Sequence, residues 1–301
     1  MKRFLKKITP KFIINLYHRL RSRLRPLEIN LKILLHLPLK KKREKIKFEI
    51  HLVEHCNLNC ASCDNFSPLA EPEFISVEEF KKDFERLGNL FNHETERIYL
   101  LGGEPLLHPD LLQLMKISRE NFTSGEIDVY TNGLLLLQQS KEFWETLRDY
   151  NIGLYITCYP VNIDHEKIKA LAKEYGIYIN WWRENDIGKE FKFMTRPLLL
   201  NKTVNYKKNF VDCYKPNWCI MLSHGKLYTC SSVPCIRHFN KFFKQNIPVT
   251  EKDYIDIYEA PDGEYILKKL IEPTPVCGYC DLAHVRYGKW HQSERKISEW
   301  T

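Results

Sequence analysis

The stretch "EHCNLNCASCDNF", residues 54–66, sets Cys56, Cys60 and Cys63 at spacings of four and three with short polar gaps between them. Three thiolates this close can ligate three irons of a 4Fe-4S cube and leave the fourth iron open to an outside ligand. Structural zinc would want a fourth protein ligand, and the loop offers only His55 or Asp64, awkwardly placed. Asn57, Asn59 and Asp64 make the loop polar, which argues against three incidental buried cysteines.

The loop ends a strand candidate, "IKFEIHLVEH" (46–55), and strand-like and helix-like segments then alternate with a period of about thirty residues. The further strands are "RIYLLG" (97–102), "IDVYT" (127–131), "GLYITCY" (153–159) and "IYINWW" (177–182), each rich in β-branched or aromatic residues. Between them lie the helix candidates "SVEEFKKDFERLGNLF", "LLQLMKISREN", "SKEFWETLRDY" and "HEKIKALAKEYG". Ser76 and Glu79 suit a capping box, and Gly176 suits a helix stop. Parallel strands with crossover helices predict an α/β fold, an open sheet or a partial (β/α)6 barrel, over residues 46–190. Chemistry in such folds gathers at the C-terminal ends of the strands, where Cys56, Gly102, Thr131 and Tyr159 fall.

Two flanking parts differ. Residues 1–45 are the core of a basic arm: through residue 48 there are sixteen Lys or Arg against Glu28 and Glu44, whereas the remainder is mildly acidic, for a net +8. Apolar residues from Ile13 to Leu34 recur there at helical spacing, with Pro10, Pro26 and Pro38 dividing the arm into two short helices. Such helices lie on anionic membrane surfaces, dock onto partners, or pack on their own domain. Residues 191–301 lose the βα rhythm, hold seven of fifteen prolines and six of ten cysteines, and are predicted to be a small Cys-rich unit.

With 44% apolar and 13% aromatic residues the chain is expected to fold as a globular protein. Its cysteines come in tight local clusters, which favours metal over a disulfide framework. The first residues lack an apolar run of signal-peptide type, and no stretch approaches the roughly 18 apolar residues of a membrane span. A cytoplasmic setting is expected, with the arm available for peripheral contact with the inner membrane face. The acidic body gives no support to nucleic-acid binding.

CxxxCxxC at the end of a first strand resembles the radical SAM superfamily. That resemblance implies that the open iron chelates S-adenosylmethionine (SAM). "LGGEP", with Gly102, Gly103 and Glu104, resembles the segment that binds the methionine amino group: glycines would admit the backbone to the ligand and the carboxylate would balance an ammonium. "TNG" and "YITCYP" close the third and fourth strands, and there Asn132 and Thr157 are candidates for the SAM ribose. One departure is Ser62, where the family has an aromatic residue on the adenine; Phe66 is the candidate stand-in.

In the last part, Cys213, eleven residues, Gly225, four residues, Cys230 and then the "CGYC" of Cys277 and Cys280 resemble the twitch arrangement, a shortened SPASM domain holding one auxiliary iron-sulfur cluster. A four-cysteine zinc knuckle is the alternative on spacing alone. Cys158, Cys219 and Cys235 remain. Free cysteines are usually buried apolar residues, yet Cys158 and Cys235 are candidate hydrogen donors, since radical epimerases related to the family return a hydrogen atom from a thiol.

The function implied is reductive cleavage of SAM to a 5′-deoxyadenosyl radical, with oxidation or epimerisation of a sugar-like or other small polar substrate. Electrons would come from a flavodoxin- or ferredoxin-type donor. The alternatives are a maturase acting on a peptide or protein, and, outside enzymes, a zinc-stabilised scaffold or an electron carrier.

Overall fold

A computed structural model of the 301-residue chain describes residues 46–184, 191–201, 203–218 and 220–301, together with Leu20, Leu24, Leu27 and Leu31. Those four leucines are helical and exposed, and the rest of the expected basic arm lies outside the described residues, as does Cys219. Arg43–Thr301 packs as one unit.

β1 (Lys47–His51), β2 (Arg97–Leu101), β3 (Glu126–Thr131), β4 (Gly153–Thr157) and β5 (Ile179–Trp182) run parallel, crossed over by α1 (Val77–Leu90), α2 (Leu111–Asn121), α3 (Lys141–Asp149) and α4 (His165–Tyr175). Alternation along each strand sorts the side chains. Phe48, Ile98 and Ile127 share one register row, and Ile50, Leu100, Val129 and Leu154 the next. These are buried with Phe80, Phe84 and Leu87 of α1, Leu114 of α2, Phe143 and Leu147 of α3, and Ile168 of α4. The opposite face carries Glu49, Tyr99 and Asp128 in one row and Tyr130 beside Tyr155 in another. Tyr130 and Tyr155 stack at 4.6 Å, and Tyr99 meets both edge-on.

The helix ends follow local chemistry. Ser76 Oγ accepts from the Glu79 amide at 3.1 Å, and Gly176 closes α4 at φ 69°. The capping box is only half made, because the Glu79 carboxylate is taken by His224 Nδ1 at 2.7 Å.

Beyond β5 come β6 (Lys192–Thr195), α5 (Tyr206–Asp212), α6 (Lys215–Trp218), β7 (Met221–Ser223), β8 (Lys226–Tyr228), α7 (Ser232–Phe243), β9 (Ile255–Asp256), α8 (Gly263–Lys269) and β10 (Arg286–Lys289). β6 pairs only with β10, antiparallel. The main sheet has the order β5-β4-β3-β2-β1-β7-β8-β9. Its sixth parallel strand is therefore β7, which pairs with β1 through Glu49 opposite Met221 and Ile50 opposite Leu222. Leu222 joins the helix-side core, while Met221 joins a second core with Phe66, Leu101, Cys235, Phe239 and Trp300.

The β7–β8 hairpin turns on His224 (φ 49°) and Gly225 (φ 68°), the double positive φ that a tight hairpin turn demands. A Cβ on Gly225 would come within 2.8 Å of the Tyr258 ring. Asp83 of α1 holds this turn, accepting from Gly225 N at 2.8 Å and from Tyr258 Oη at 2.5 Å. Gly225→Ala is expected to lower stability by about 1–3 kcal/mol, through left-handed strain and the Tyr258 contact. Denaturant unfolding checks this, and an unchanged midpoint would contradict it.

Candidate active site

The three-cysteine loop leaves the C-terminal end of β1, and its backbone is shaped by left-handed residues at Asn59 (φ 52°) and Ser62 (φ 55°). Its sulfurs have nearby donors: Leu58 N at 3.4 Å and Asn132 Nδ2 at 3.7 Å from Cys56 Sγ, and Trp290 Nε1 at 3.1 Å from Cys60 Sγ. Burial pushes the Cys56 and Cys60 thiols up to about 12 and raises Cys63 as well. At neutral pH such thiols stay protonated unless a metal cation takes the proton's place.

Gly102 and Gly103 lie on the backbone that leads into this loop. A Cβ on Gly103 would sit 1.9 Å from His55 O, and one on Gly102 2.4 Å from Val53 O. The glycines are therefore required for backbone-on-backbone packing, sealed by Gly103 N to Val53 O at 2.6 Å and Glu104 N to His55 O at 3.1 Å. Glu104 is fully buried and receives Thr131 Oγ1 at 2.6 Å, Asn132 N at 2.9 Å and Leu106 N at 3.1 Å. Burial wins over these bonds and pushes its carboxyl up to about 7.

Asn132 is committed locally: its Nδ2 donates to Asn57 Oδ1 at 2.8 Å and its Oδ1 accepts from Leu134 N at 2.9 Å, so it braces the cysteine loop. Thr157 Oγ1 donates to Tyr130 Oη at 3.2 Å. Phe66 packs in the second core against Phe239 and Trp300, at 3% exposure, and borders the cavity of the later cysteines rather than the chamber at the strand ends.

A chamber of about 500 Å³ opens over the strand ends. Its wall includes Cys60, Cys63, Glu49, Tyr130, Tyr159 and Trp290, with Arg183, Lys192, Arg196 and Lys215 bringing positive charge. Cys60 and Cys63 are the only thiols among the described residues lining it. Cys158 follows Ile156 on the helix side, where Lys169 and Glu184 are the charges acting on it. Cys235 is buried on α7, its Sγ 3.7 Å from His51 Nε2. His51 Nδ1 lies 3.0 Å from Glu54 Oε1, which Arg237 Nη2 approaches at 3.2 Å, and His238 Nε2 lies 2.5 Å from Glu54 Oε2. Burial acts to raise the Glu54 carboxyl, but the bonds from His238 and His51 and the Arg237 charge hold it well below the usual range. The cluster clamps α7 to the end of β1. Strand alternation turns Cys158 away from the chamber and the clamp holds Cys235, so neither of these candidate hydrogen donors lines it.

Cys213, Cys230, Cys277 and Cys280 line one small cavity of about 60 Å³. Asn209 Nδ2 holds the CGYC turn through the carbonyls of Cys277 (2.9 Å) and Cys280 (2.7 Å). Burial pushes Cys277 up to about 12 and also raises Cys280 and Cys213. Four thiolates on one zinc, at about 2.3 Å each, would stand about 3.8 Å apart. Among the described residues the one set of three ligand atoms mutually within 4.8 Å is His51, Glu54 and Cys235. No three of the clustered cysteine sulfurs among the described residues lie mutually within that distance. Lys215 and Arg196 lie in the walls of both cavities, with Asp64 Oδ2 at 2.9 Å from Lys215 Nζ. Arg196 Nη1 is buried without a hydrogen-bond acceptor, 3.8 Å from Asp64. A buried orphan donor and two cations suit centres that carry thiolate and sulfide charge.

The residues least visible beforehand are Trp290 and Trp300, which come from the segment following β10 to touch the cysteine loop. The only signal was their density in "GKWHQSERKISEW".

Residues 50–181 match the model of the radical SAM superfamily. A GTP 3′,8-cyclase of Staphylococcus carnosus is 30% identical over 114 residues, covering 35% of this chain and 32% of the relative. One from Aquifex aeolicus is 34% identical over 105 residues, covering 32% and 30%. The chain thus spans about a third of the length of these curated relatives. Among solved structures, BtrN in complex with AdoMet and 2-DOIA is 14% identical, with 79% of this chain and 93% of that one covered and a TM-score of 0.46. Histidine-tagged anSMEcpe with bound AdoMet is 15% identical, with 77% and 81% covered and the same TM-score of 0.46.

Proposed function

We propose, from the match of residues 50–181 to the radical SAM superfamily, that the chain is an enzyme that cleaves SAM reductively and oxidises a small polar or sugar-like substrate. The observation that carries this reading is the junction of the three-cysteine loop, through Cys60 and Cys63, with an aromatic-walled chamber at the strand ends whose rim carries Arg183, Lys192, Arg196 and Lys215. When bound at Cys56, Cys60 and Cys63, a reduced 4Fe-4S cluster with SAM supplies a 5′-deoxyadenosyl radical.

The protein's own part is to bind, orient and exclude water. Glu104, with the backbone of Gly102 and Gly103 behind it, would meet the methionine ammonium, and Asn132 and Thr157 would border the ribose. Tyr130, Tyr159 and Trp290 in the chamber wall would pack against a substrate ring and exclude water from it. Residues 191–301 would act as the auxiliary unit, with Cys213, Cys230, Cys277 and Cys280 holding a second iron-sulfur cluster that accepts the electron left after hydrogen abstraction. Oxidation is favoured over epimerisation because no thiol beyond the loop cysteines lines the chamber among the described residues. Reduction would draw on a flavodoxin- or ferredoxin-type donor. No helix among the described residues is long and apolar enough to cross a membrane.

A second reading is favoured by the cations in the chamber wall: a nucleotide or other phosphorylated substrate, as the name of the curated relatives suggests for them. Anaerobically purified protein is expected to hold about eight irons per chain, for two 4Fe-4S centres. About four irons with stoichiometric zinc would remove the auxiliary cluster, and zinc alone would remove the enzyme reading. Sugars and nucleotides deuterated at ring carbons, tested for label transfer into 5′-deoxyadenosine, separate the two substrate readings.

A further inference from the structure

Residues 285–301 form a strap laid antiparallel along the cysteine loop, and it fastens the loop residue by residue. Cys60 and Gln292 form a β-bridge, with Ala61 N donating to His291 O at 3.0 Å and Ser293 N to Asn59 O at 2.7 Å. Ser62 Oγ donates to Glu299 O at 2.6 Å, and Trp300 Nε1 donates to Cys63 O at 3.0 Å. These bonds hold a loop whose left-handed residues, Asn59 and Ser62, have no regular ladder of their own.

Trp290 is the strap residue whose donor reaches a ligand sulfur, with Nε1 3.1 Å from Cys60 Sγ. An indole nitrogen can only donate, so the direction of this bond is fixed. The ring cannot easily turn away: Trp290 N is tied to Phe191 O at 2.8 Å, and the indole lies 6.1 Å from the Tyr159 ring. No role for Trp290 follows from the cysteine spacing, and the bond spans 230 residues of sequence.

We propose that Trp290 is a positioning residue of the SAM-binding centre, whose indole N–H, delivered by the strap, fixes the Cys60 sulfur and raises the reduction potential of the cluster held there. The inference rests on the reading of Cys56, Cys60 and Cys63 as an iron-sulfur site. A donor aimed at a ligand sulfur offsets negative charge, and that charge is larger in the reduced centre, so the reduced state gains more from the bond. Losing the donor therefore makes the centre harder to reduce, with the three ligands still in place.

The test is an EPR-monitored redox titration of the reconstituted full chain, following the signal that changes when SAM is added. Trp290→Phe keeps the ring and removes the N–H. It is expected to retain iron and to show an approximately tenfold smaller reduced-to-oxidised ratio at a fixed potential, which is about 59 mV more negative for a one-electron couple. Trp300→Phe, which loses a donor to a carbonyl, should leave the midpoint in place, and Trp290→His, which keeps a ring N–H, should return most of the shift. An unmoved midpoint in iron-replete Trp290→Phe overturns the proposal, as does an equal shift in Trp300→Phe. If Trp290→Phe loses iron, retention in Trp290→His supports the donor role, and loss in both overturns it. A wild-type chain lacking any SAM-responsive signal overturns the underlying site reading instead, so the two failures are distinct.

Discussion

Alanine at Cys60 is expected to lower the iron content from about eight to about four per chain and to abolish 5′-deoxyadenosine formation from SAM and dithionite. Altering a residue that only supports a metal ligand costs about 10–100-fold, so losing the ligand itself should cost more than about 10³-fold. The strap opposes rescue by a neighbouring thiol on geometric grounds: the loop is pinned on both sides of Cys60, and Cys235 is engaged by His51 at 3.7 Å. The companion change Cys277→Ala should also halve the iron but spare SAM cleavage, because that thiol lines the other cavity. Retention of 5′-deoxyadenosine formation in Cys60→Ala would contradict the assignment.

Glu104 should make SAM binding depend on pH. Its carboxyl is pushed up to about 7 by burial, so it is ionised at pH 8 and protonated at pH 6. Pairing with an ammonium requires the ionised form, and each pH unit below about 7 should therefore cost up to tenfold in SAM affinity. In the absence of SAM the sign for folding is the reverse of the usual carboxylate case. The unfolded chain releases this proton near the ordinary value of 4.5, so the contribution to stability is full below that pH and is lost as the pH rises through about 7. Glu104→Gln should bind SAM about 10–100-fold more weakly at pH 8 and flatten the pH profile, since an amide cannot ionise and turns an NH₂ toward Thr131 or Asn132. Calorimetric titration of reconstituted protein with SAM from pH 6 to 8 checks this. The same slope in the variant as in the wild type would assign the titration elsewhere.

Local chemistry made the first half of the chain readable. The β-branched and aromatic content of "RIYLL" marked a strand, in which Ile98 and Leu100 face the helices and Tyr99 the opposite side, while Ser76 and Gly176 marked helix ends by capping and left-handed turn preferences. The cysteine spacing likewise marked the loop, because ligands for one centre are often close in sequence. What stayed hidden depends on long-range pairing. β7 and β8 are three residues each, too short for an alternation pattern, and their place beside β1 is set by Met221 and Leu222 fitting two different cores. Gly225 was visible as a spacing, but its cause, the ring of Tyr258 over a left-handed turn, was not. Cys158 and Cys235 looked alike as unassigned thiols until strand phase and the His51 contact separated them.

The shared strand pair β1–β7 has a consequence for how such a protein could be rearranged. The loop bearing the first cysteines leaves β1, whereas Cys213 and Cys230 flank the β7–β8 hairpin hydrogen-bonded alongside it. Neighbouring strands keep a spacing of about 4.8 Å, so the separation between the two nests is locked by backbone rather than by a linker. Grafting the later module onto another barrel would mean cutting through a ladder and baring the edge of β1, a surface prone to sticking to other chains. The two cysteine nests are therefore expected to be inherited, lost or redesigned as one piece of masonry.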